Sequence, residues 1–187
     1  MNNGYIAGPL FNESEVKQRM YEGAKLREVS KDKIEWYNPI EAPINDKAKL
    51  PTAKDIFKGD TVKVLESDYI VCDITNNDTG VAMELGIAFG LKHACDAIKL
   101  ILPYINKDYL QDVVKDLEDV GVLKERQIYV VCSDIRKGTA DKYSDIHIPI
   151  GFNQYVIGGL EYLDSKFYNK FDDCLKDISE DIKCRKK

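Results

Sequence analysis

Short apolar runs rich in β-branched residues alternate with longer amphipathic stretches along this chain. Runs of this kind, bounded by turn residues, are typical of buried strands, and the longer stretches are typical of helices that cover them. The pattern predicts strands over 5–8, 34–37, 69–71, 98–102 and 127–132. It predicts a helix that is capped by Asn12 or Ser14 and runs to about 28. It predicts further helices over about 52–66, 85–91, 109–122, 153–163 and 167–182.

Strands that alternate with helices form parallel sheets, because each connecting helix crosses one face of the sheet. We therefore expect an α/β fold: a three-layer sandwich around a doubly wound, five-stranded parallel sheet of the flavodoxin or Rossmann type. The sequence contains no repeat and no linker, so residues 1–187 are predicted to form one domain. A chain of this length buries a substantial core.

Charge, hydropathy and the spacing of cysteine and histidine argue against several classes of function. The formal net charge of −5 argues against a nucleic-acid partner, since proteins that bind phosphate backbones carry a basic face. No apolar run approaches the roughly 20 residues that span a bilayer, and no signal peptide is evident. The cysteines form no CxxC pair, and His93 and His147 are isolated. We therefore expect a cytoplasmic protein without metal or cofactor that acts on a small molecule.

Acidic residues cluster after the third predicted strand. Asp78 lies in a polar loop, and Glu84 follows in what we expect to be the first turn of a helix. In an open parallel sheet, ligands bind in the crevice beyond the carboxyl ends of the strands. An acid in a first turn also complements the helix dipole, but acids clustered in a cleft are more often functional. We therefore predict a functional role for Glu84.

Asp60 is a second acid in an unusual position. It lies four residues after Ile56 and four before Val64, so the three share one face of a predicted helix. That face is expected to point inward, where an aspartate requires a partner or a function. The structural alternative is a buried aspartate that is satisfied by Tyr5 or by a loop amide.

These acids occur together with other recognisable segments, in a particular order and spacing: Tyr5-Ile6-Ala7-Gly8-Pro9-Leu10-Phe11, Asp60, Asp78 and Met83-Glu84-Leu85-Gly86. In this combination the chain resembles the nucleoside 2-deoxyribosyltransferase family. The resemblance covers roughly residues 1–100 and resumes near Gly151-Phe152-Asn153. Each segment is modest by itself, and the combination is fairly specific.

The resemblance implies a role for each matching acid. Glu84 takes the place of the family's nucleophile, and Asp60 that of the residue associated with proton transfer to the departing base. Asp78 takes the place of the residue that holds the sugar hydroxyls. Asn153 resembles a residue contributed by a neighbouring subunit, which implies a homo-oligomer.

The substrate-binding residues that we predict on this basis are Tyr5, Gly8, Phe11, Asp78 and Asn153. We expect Phe11 and the loop over 41–51 to contact the base. The implied partners are 2′-deoxynucleosides and free nucleobases.

The implied chemistry is consistent with the residues. Cleavage of an N-glycosidic bond develops positive charge at C1′, and retaining glycosyl transfer uses two carboxyl groups with separate roles. Glu84 would attack C1′ to give a deoxyribosyl ester, and a second base would then collect the sugar. We expect the helix amino terminus to help keep Glu84 ionised.

Two other functions stay open at this point. A 2′-deoxynucleoside 5′-monophosphate N-glycosidase would share the fold and the nucleophile, although a carboxylate at Asp78 repels a phosphate dianion. A nucleotide-binding module without catalysis is the second, because a fold does not fix a function. A flavodoxin-like FMN site is disfavoured, since the loop over 8–12 lacks a Ser/Thr-rich phosphate cradle.

Overall fold

The computed structural model describes residues 1–134, 142–143, 146–147 and 153–184. Its strands are β1 (Asn2–Ala7), β2 (Ile34–Tyr37), β3 (Tyr69–Asp73), β4 (Gln127–Val131), β5 (Lys142–Tyr143), β6 (Ile146–His147) and β7 (Lys166–Tyr168). Five strands form one parallel sheet in the order β2-β1-β3-β4-β7, and β5 pairs with β6 in an antiparallel hairpin. This order is that of flavodoxin-like doubly wound sheets. The predicted fold class is confirmed.

The helices are α1 (Glu13–Ser30), α2 (Ala53–Glu66), α3 (Thr79–Ile101), α4 (Lys107–Asp119), α5 (Gln154–Tyr162) and α6 (Phe171–Cys184). Short 3₁₀ helices occupy Lys31–Lys33, Pro39–Glu41, Pro43–Asn45, Lys47–Lys49 and Leu102–Tyr104. Within the described ranges, every helix is too short or too polar to cross a bilayer.

Alternation along β1 divides the core into two faces. Tyr5 and Ala7 point into a cluster with residues of α2, α3 and α5, which we call the Tyr5 face. Ile6 points into a cluster with residues of α1 and α6, which we call the Ile6 face. Because neighbouring side chains on a strand point in opposite directions, one short strand supplies both layers of the core.

Polar side chains fix where several helices begin. Asn12 caps α1 and Thr52 caps α2, each with a reciprocal capping box. Asp78 caps α3 by accepting a hydrogen bond from the Val81 amide at 2.9 Å. Asn153 caps α5 by accepting one from the Tyr155 amide at 3.0 Å. Such caps satisfy amides that lack a partner within the helix.

The fifth strand of the sheet is not the one that the sequence predicts. The run over 98–102 belongs mostly to the last turn of α3, and the fifth strand is β7. A five-residue apolar run fits a buried strand as well as a buried helix, and here it extends an apolar helix without interruption. The predicted helix over 167–182 correspondingly begins later, at Phe171.

Candidate active site

Glu84 lies in the second turn of α3, because Asp78 caps the helix and Thr79 begins it. The sequence-based expectation of a first-turn position is therefore wrong by one turn. The Glu84 carboxylate accepts a hydrogen bond from the Tyr5 hydroxyl, with 2.5 Å between Oε1 and the phenolic oxygen. Among the described residues, no lysine or arginine forms an ion pair with Glu84.

Burial sets the protonation of Glu84. It raises the pKa of this carboxyl group to about 7; the Tyr5 hydrogen bond opposes that effect, and the charges of Asp60 and Asp78 add to it. The helix terminus therefore does not keep Glu84 ionised as expected. With this pKa, the protonated and the ionised forms of the carboxyl group are both well populated at neutral pH. A group of this kind is typical of sites that carry out chemistry.

Asp60 faces Glu84 from α2, and it is held by a tyrosine that the sequence analysis did not identify. The Tyr37 hydroxyl donates to Asp60 Oδ1 at 2.7 Å. The Tyr37 and Tyr5 rings stack, with centroids 5.7 Å apart and planes inclined by 17°. The partner proposed for a structural aspartate, Tyr5, bonds to Glu84 instead. The pairing of β1 with β2 places Tyr37 directly opposite Tyr5. The two hydroxyl groups are therefore neighbours, and each of them bonds to a different acid.

Asp78 and Asn153 meet at one cavity. A cavity of about 170 Å³ lies between the amino termini of α3 and α5, and both residues line it together with apolar side chains that include Val81 and Leu85. Two of the predicted substrate-binding residues are thus brought together within a single chain. A contribution of Asn153 to a neighbouring subunit stays a prediction, and Gly151 and Phe152 lie outside the described residues.

Gly8 is required for packing whether or not it also contacts substrate. A side chain at this position would place its Cβ 1.9 Å from Nη1 of Arg19. Arg19 is buried, and its Nη2 forms ion pairs with Glu22 at 3.0 Å and with Asp73, the last residue of β3, at 2.7 Å. The absence of a side chain at Gly8 gives this guanidinium its space beneath the end of β1.

Glu15 joins the two loops that border the site. One of its carboxylate oxygens accepts from the Phe11 amide at 2.8 Å, and the other accepts from the Asn76 side chain at 2.7 Å. The Phe11 side chain itself is 83 % exposed. Contact between Phe11 and a base therefore stays a prediction. Nothing in the sequence pattern distinguishes Glu15 from an ordinary capping-box acid.

The segment over 41–51 packs near the Asp60 turn. It contains two of the short 3₁₀ helices, and Ile44 packs against Gly59, the residue before Asp60. On sequence alone we treat this segment as a loop, whereas the structure has short helical turns. The predicted contact of this segment with the base is compatible with its position beside α2.

Comparison with known proteins gives a consistent result. A family model described as nucleoside 2-deoxyribosyltransferase matches residues 5–116, which is more than half of the chain. A protein of Ureaplasma parvum serovar 3, described as uncharacterised, is 29 % identical over an alignment that covers 70 % of this chain and 89 % of the relative.

Two solved structures share the fold. A conserved protein from Enterococcus faecalis V583 superposes with a TM-score of 0.63 at 24 % identity, over 96 % of this chain and 98 % of the other. A 2-deoxyribosyltransferase from Bacillus psychrosaccharolyticus superposes with a TM-score of 0.51 at 16 % identity, over 92 % and 90 % of the two chains. At these identities the likeness establishes the fold.

Proposed function

Because the chain belongs to the nucleoside 2-deoxyribosyltransferase family, we propose that it transfers 2-deoxyribose between nucleobases, with Glu84 as the nucleophile. The observation that supports this most strongly is the setting of Glu84. Its carboxylate is mostly buried, it is hydrogen-bonded by the neutral Tyr5 hydroxyl, and it faces a second acid, Asp60. A carboxylate that is neutralised by a cation would be a poor nucleophile, and Glu84 has no such partner among the described residues.

The first half of the proposed reaction breaks the N-glycosidic bond. An ionised oxygen of Glu84 bonds to C1′, and the electron pair of the C1′–N bond passes to the nucleobase. Asp60 in its acid form gives a proton to the base nitrogen, so the base leaves neutral and Asp60 becomes a carboxylate. This is the division of labour of retaining glycosyl transfer, with one carboxylate as nucleophile and one carboxyl as acid.

The second half reverses these steps with a different base. The Asp60 carboxylate accepts the N–H proton of the incoming base, whose nitrogen bonds to C1′ as the ester bond to Glu84 breaks. Atoms and charges are then restored, and Glu84 is ionised again. The sugar has exchanged one base for another without the participation of water.

Sugar recognition is proposed for the cavity that Asp78 and Asn153 line. Carboxylate and amide oxygens accept hydrogen bonds from hydroxyl groups, and both residues are fixed there by their capping bonds. Asp78 lowers the suitability of this site for a phosphate, because its charge opposes a dianion in a poorly solvated place. The proposed substrates are therefore unphosphorylated 2′-deoxynucleosides.

Base exchange tests the proposal. The protein is incubated with a 2′-deoxynucleoside and a different free base, and the products are separated by chromatography. We expect the new deoxynucleoside to form, and we expect no formation with the Glu84→Gln protein. Release of base only from the 5′-monophosphate, without exchange, would contradict the proposal and would support the N-glycosidase instead. Binding without turnover would support the non-catalytic module.

A further inference from the structure

The two candidate catalytic acids are held by two tyrosines that stack on each other. Tyr5 donates to Glu84 at 2.5 Å, and Tyr37 donates to Asp60 at 2.7 Å. The four groups come from four elements, β1, β2, α2 and α3, and the facing positions of the two tyrosines follow from the parallel pairing of β1 with β2. The strand register therefore sets where both hydroxyl groups lie.

Both phenols remain hydrogen-bond donors across the working range of pH. Burial raises the pKa of Tyr5 well above its usual range, and its neighbour Glu84 raises it further. Burial, followed by the hydrogen bond to Asp60, raises the pKa of Tyr37 in the same way. A hydroxyl that keeps its proton beside a carboxylate makes a short, charge-assisted hydrogen bond, which is among the stronger kinds in proteins.

We propose that Tyr37 is a positioning residue for Asp60, and that it acts through the orientation of this carboxyl group. With Oδ1 held by the Tyr37 hydroxyl, rotation about the Cβ–Cγ bond of Asp60 is restricted, and the direction of Oδ2 is set. This inference rests on the proposed function, in which Asp60 exchanges a proton with the base. A proton donor must lie within hydrogen-bond reach of the departing nitrogen, and small misplacements reduce rates strongly.

The Tyr37→Phe substitution separates this role from packing. The Tyr37 ring contributes to the core of the Tyr5 face, and phenylalanine keeps the ring while it removes the hydroxyl. The chain also supplies a matched control. Tyr168 is a half-buried tyrosine on the opposite face whose hydroxyl donates to Asp177 at 2.6 Å. Tyr168→Phe removes the same kind of hydrogen bond away from Glu84.

Leaving-group dependence gives the decisive readout. The first substrate is a 2′-deoxynucleoside, whose base must be protonated as it leaves. The second is a 4-nitrophenyl 2-deoxyriboside, whose leaving group departs as a stable anion. For Tyr37→Phe we expect kcat to fall about 10- to 100-fold with the deoxynucleoside. With the nitrophenyl substrate we expect a change within about threefold, with little change of KM for either substrate. Tyr168→Phe should match the wild type with both.

The outcomes are separable. Full activity of Tyr37→Phe with the deoxynucleoside would overturn the positioning role, and so would an equal loss of activity with both substrates. In either case the activity of the wild-type protein would still support the proposed function. A wild-type protein that cleaves neither substrate would overturn the proposed function, and the role of Tyr37 with it. A selective loss with the deoxynucleoside, shared by Asp60→Asn, supports the inference.

Discussion

Burial raises the pKa of two glutamates on opposite faces of the sheet to similar values, but their neighbours are very different. Burial raises the pKa of Glu22, on the Ile6 face, to about 7 although Arg19 opposes the effect. Burial likewise raises the pKa of Glu84, on the Tyr5 face, to about 7 although the Tyr5 hydroxyl opposes it. Titration behaviour alone therefore does not tell a structural acid from a reactive one.

The neighbours make the distinction. Glu22 is buried and receives hydrogen bonds from Arg19 at 3.0 Å and from Gln18 at 2.8 Å, and the same guanidinium holds Asp73. The negative charge of Glu22 is thus balanced by the Arg19 guanidinium, which also links α1 to the end of β3. Glu84 is bonded instead by a neutral hydroxyl and lies near two further acids. We conclude that a buried acid paired with a cation supports the fold here, and that one without a cation is suited to chemistry.

The largest expected effect separates the two glutamates by activity. Glu84→Gln removes the nucleophile and should lower kcat for base exchange by at least about 1,000-fold. Glu22→Gln keeps an amide oxygen for Arg19 and should retain activity within about tenfold. Steady-state kinetics on both variants, with circular dichroism as a check of folding, test this. Similar losses of kcat in the two variants would contradict the different roles assigned to Glu84 and Glu22.

The same contrast predicts losses of stability that differ in size. Arg19→Met leaves Glu22 and Asp73 without their buried cation and should lower the free energy of unfolding by about 3–5 kcal/mol. Tyr5→Phe removes one neutral donor from Glu84 and should cost about 1 kcal/mol. Urea denaturation at pH 8, where both glutamates are mostly ionised, measures both. A cost below about 1 kcal/mol for Arg19→Met would contradict a supporting role of this cluster.

Ionisation of Glu84 should itself destabilise the protein. The carboxyl binds a proton more tightly in the folded state than in the unfolded one, so stability falls as the pH rises from about 4.5 to about 7. Glutamine does not ionise. Glu84→Gln should therefore be more stable than the wild type at pH 8, by up to about 3 kcal/mol, and equal to it at pH 4. Thermal unfolding at the two pH values checks this, and a variant less stable at pH 8 would refute it.

A smaller effect tests the Tyr5 hydrogen bond. The wild-type kcat/KM should rise with pH through about 7, as Glu84 ionises in the free enzyme. Tyr5→Phe removes a donor that lowers the pKa of Glu84, so the midpoint should move to higher pH. Tyr168→Phe should leave it in place. A midpoint that is unchanged or lower in Tyr5→Phe would show that this hydroxyl does not act on Glu84.

The sequence predicts the position of a site residue when that position depends on one helix or loop. It does not predict contacts that depend on how two elements pack together. Helix periodicity places Asp60 on an inward face, and the acid-rich loop points to Glu84. The partner of Asp60 depends on the register between β1 and β2, which no single segment encodes, so Tyr37 went unidentified. The cation beneath Gly8 likewise requires α1 to pack under β1, and Arg19 has the appearance of a surface residue in the sequence.

The error in the sheet has a similar origin. The strand β7 has only three residues, so it offers too little alternation to reveal a period. The run over 98–102 is apolar, and no glycine or proline separates it from the preceding helix. It is helical because α3 continues into it without a break. The fold class could be predicted because it depends on the alternation of elements rather than on any one of them.

Intact-mass spectrometry tests the central claim most directly. The protein is mixed with a 2′-deoxynucleoside in the absence of an acceptor base and quenched in acid within the first turnovers. We expect a species heavier by one deoxyribosyl group, with the modification on the peptide that contains Glu84, and no such species for Glu84→Gln. A protein that turns over its substrate without an adduct, or with one on another residue, would contradict the assignment of Glu84 as the nucleophile.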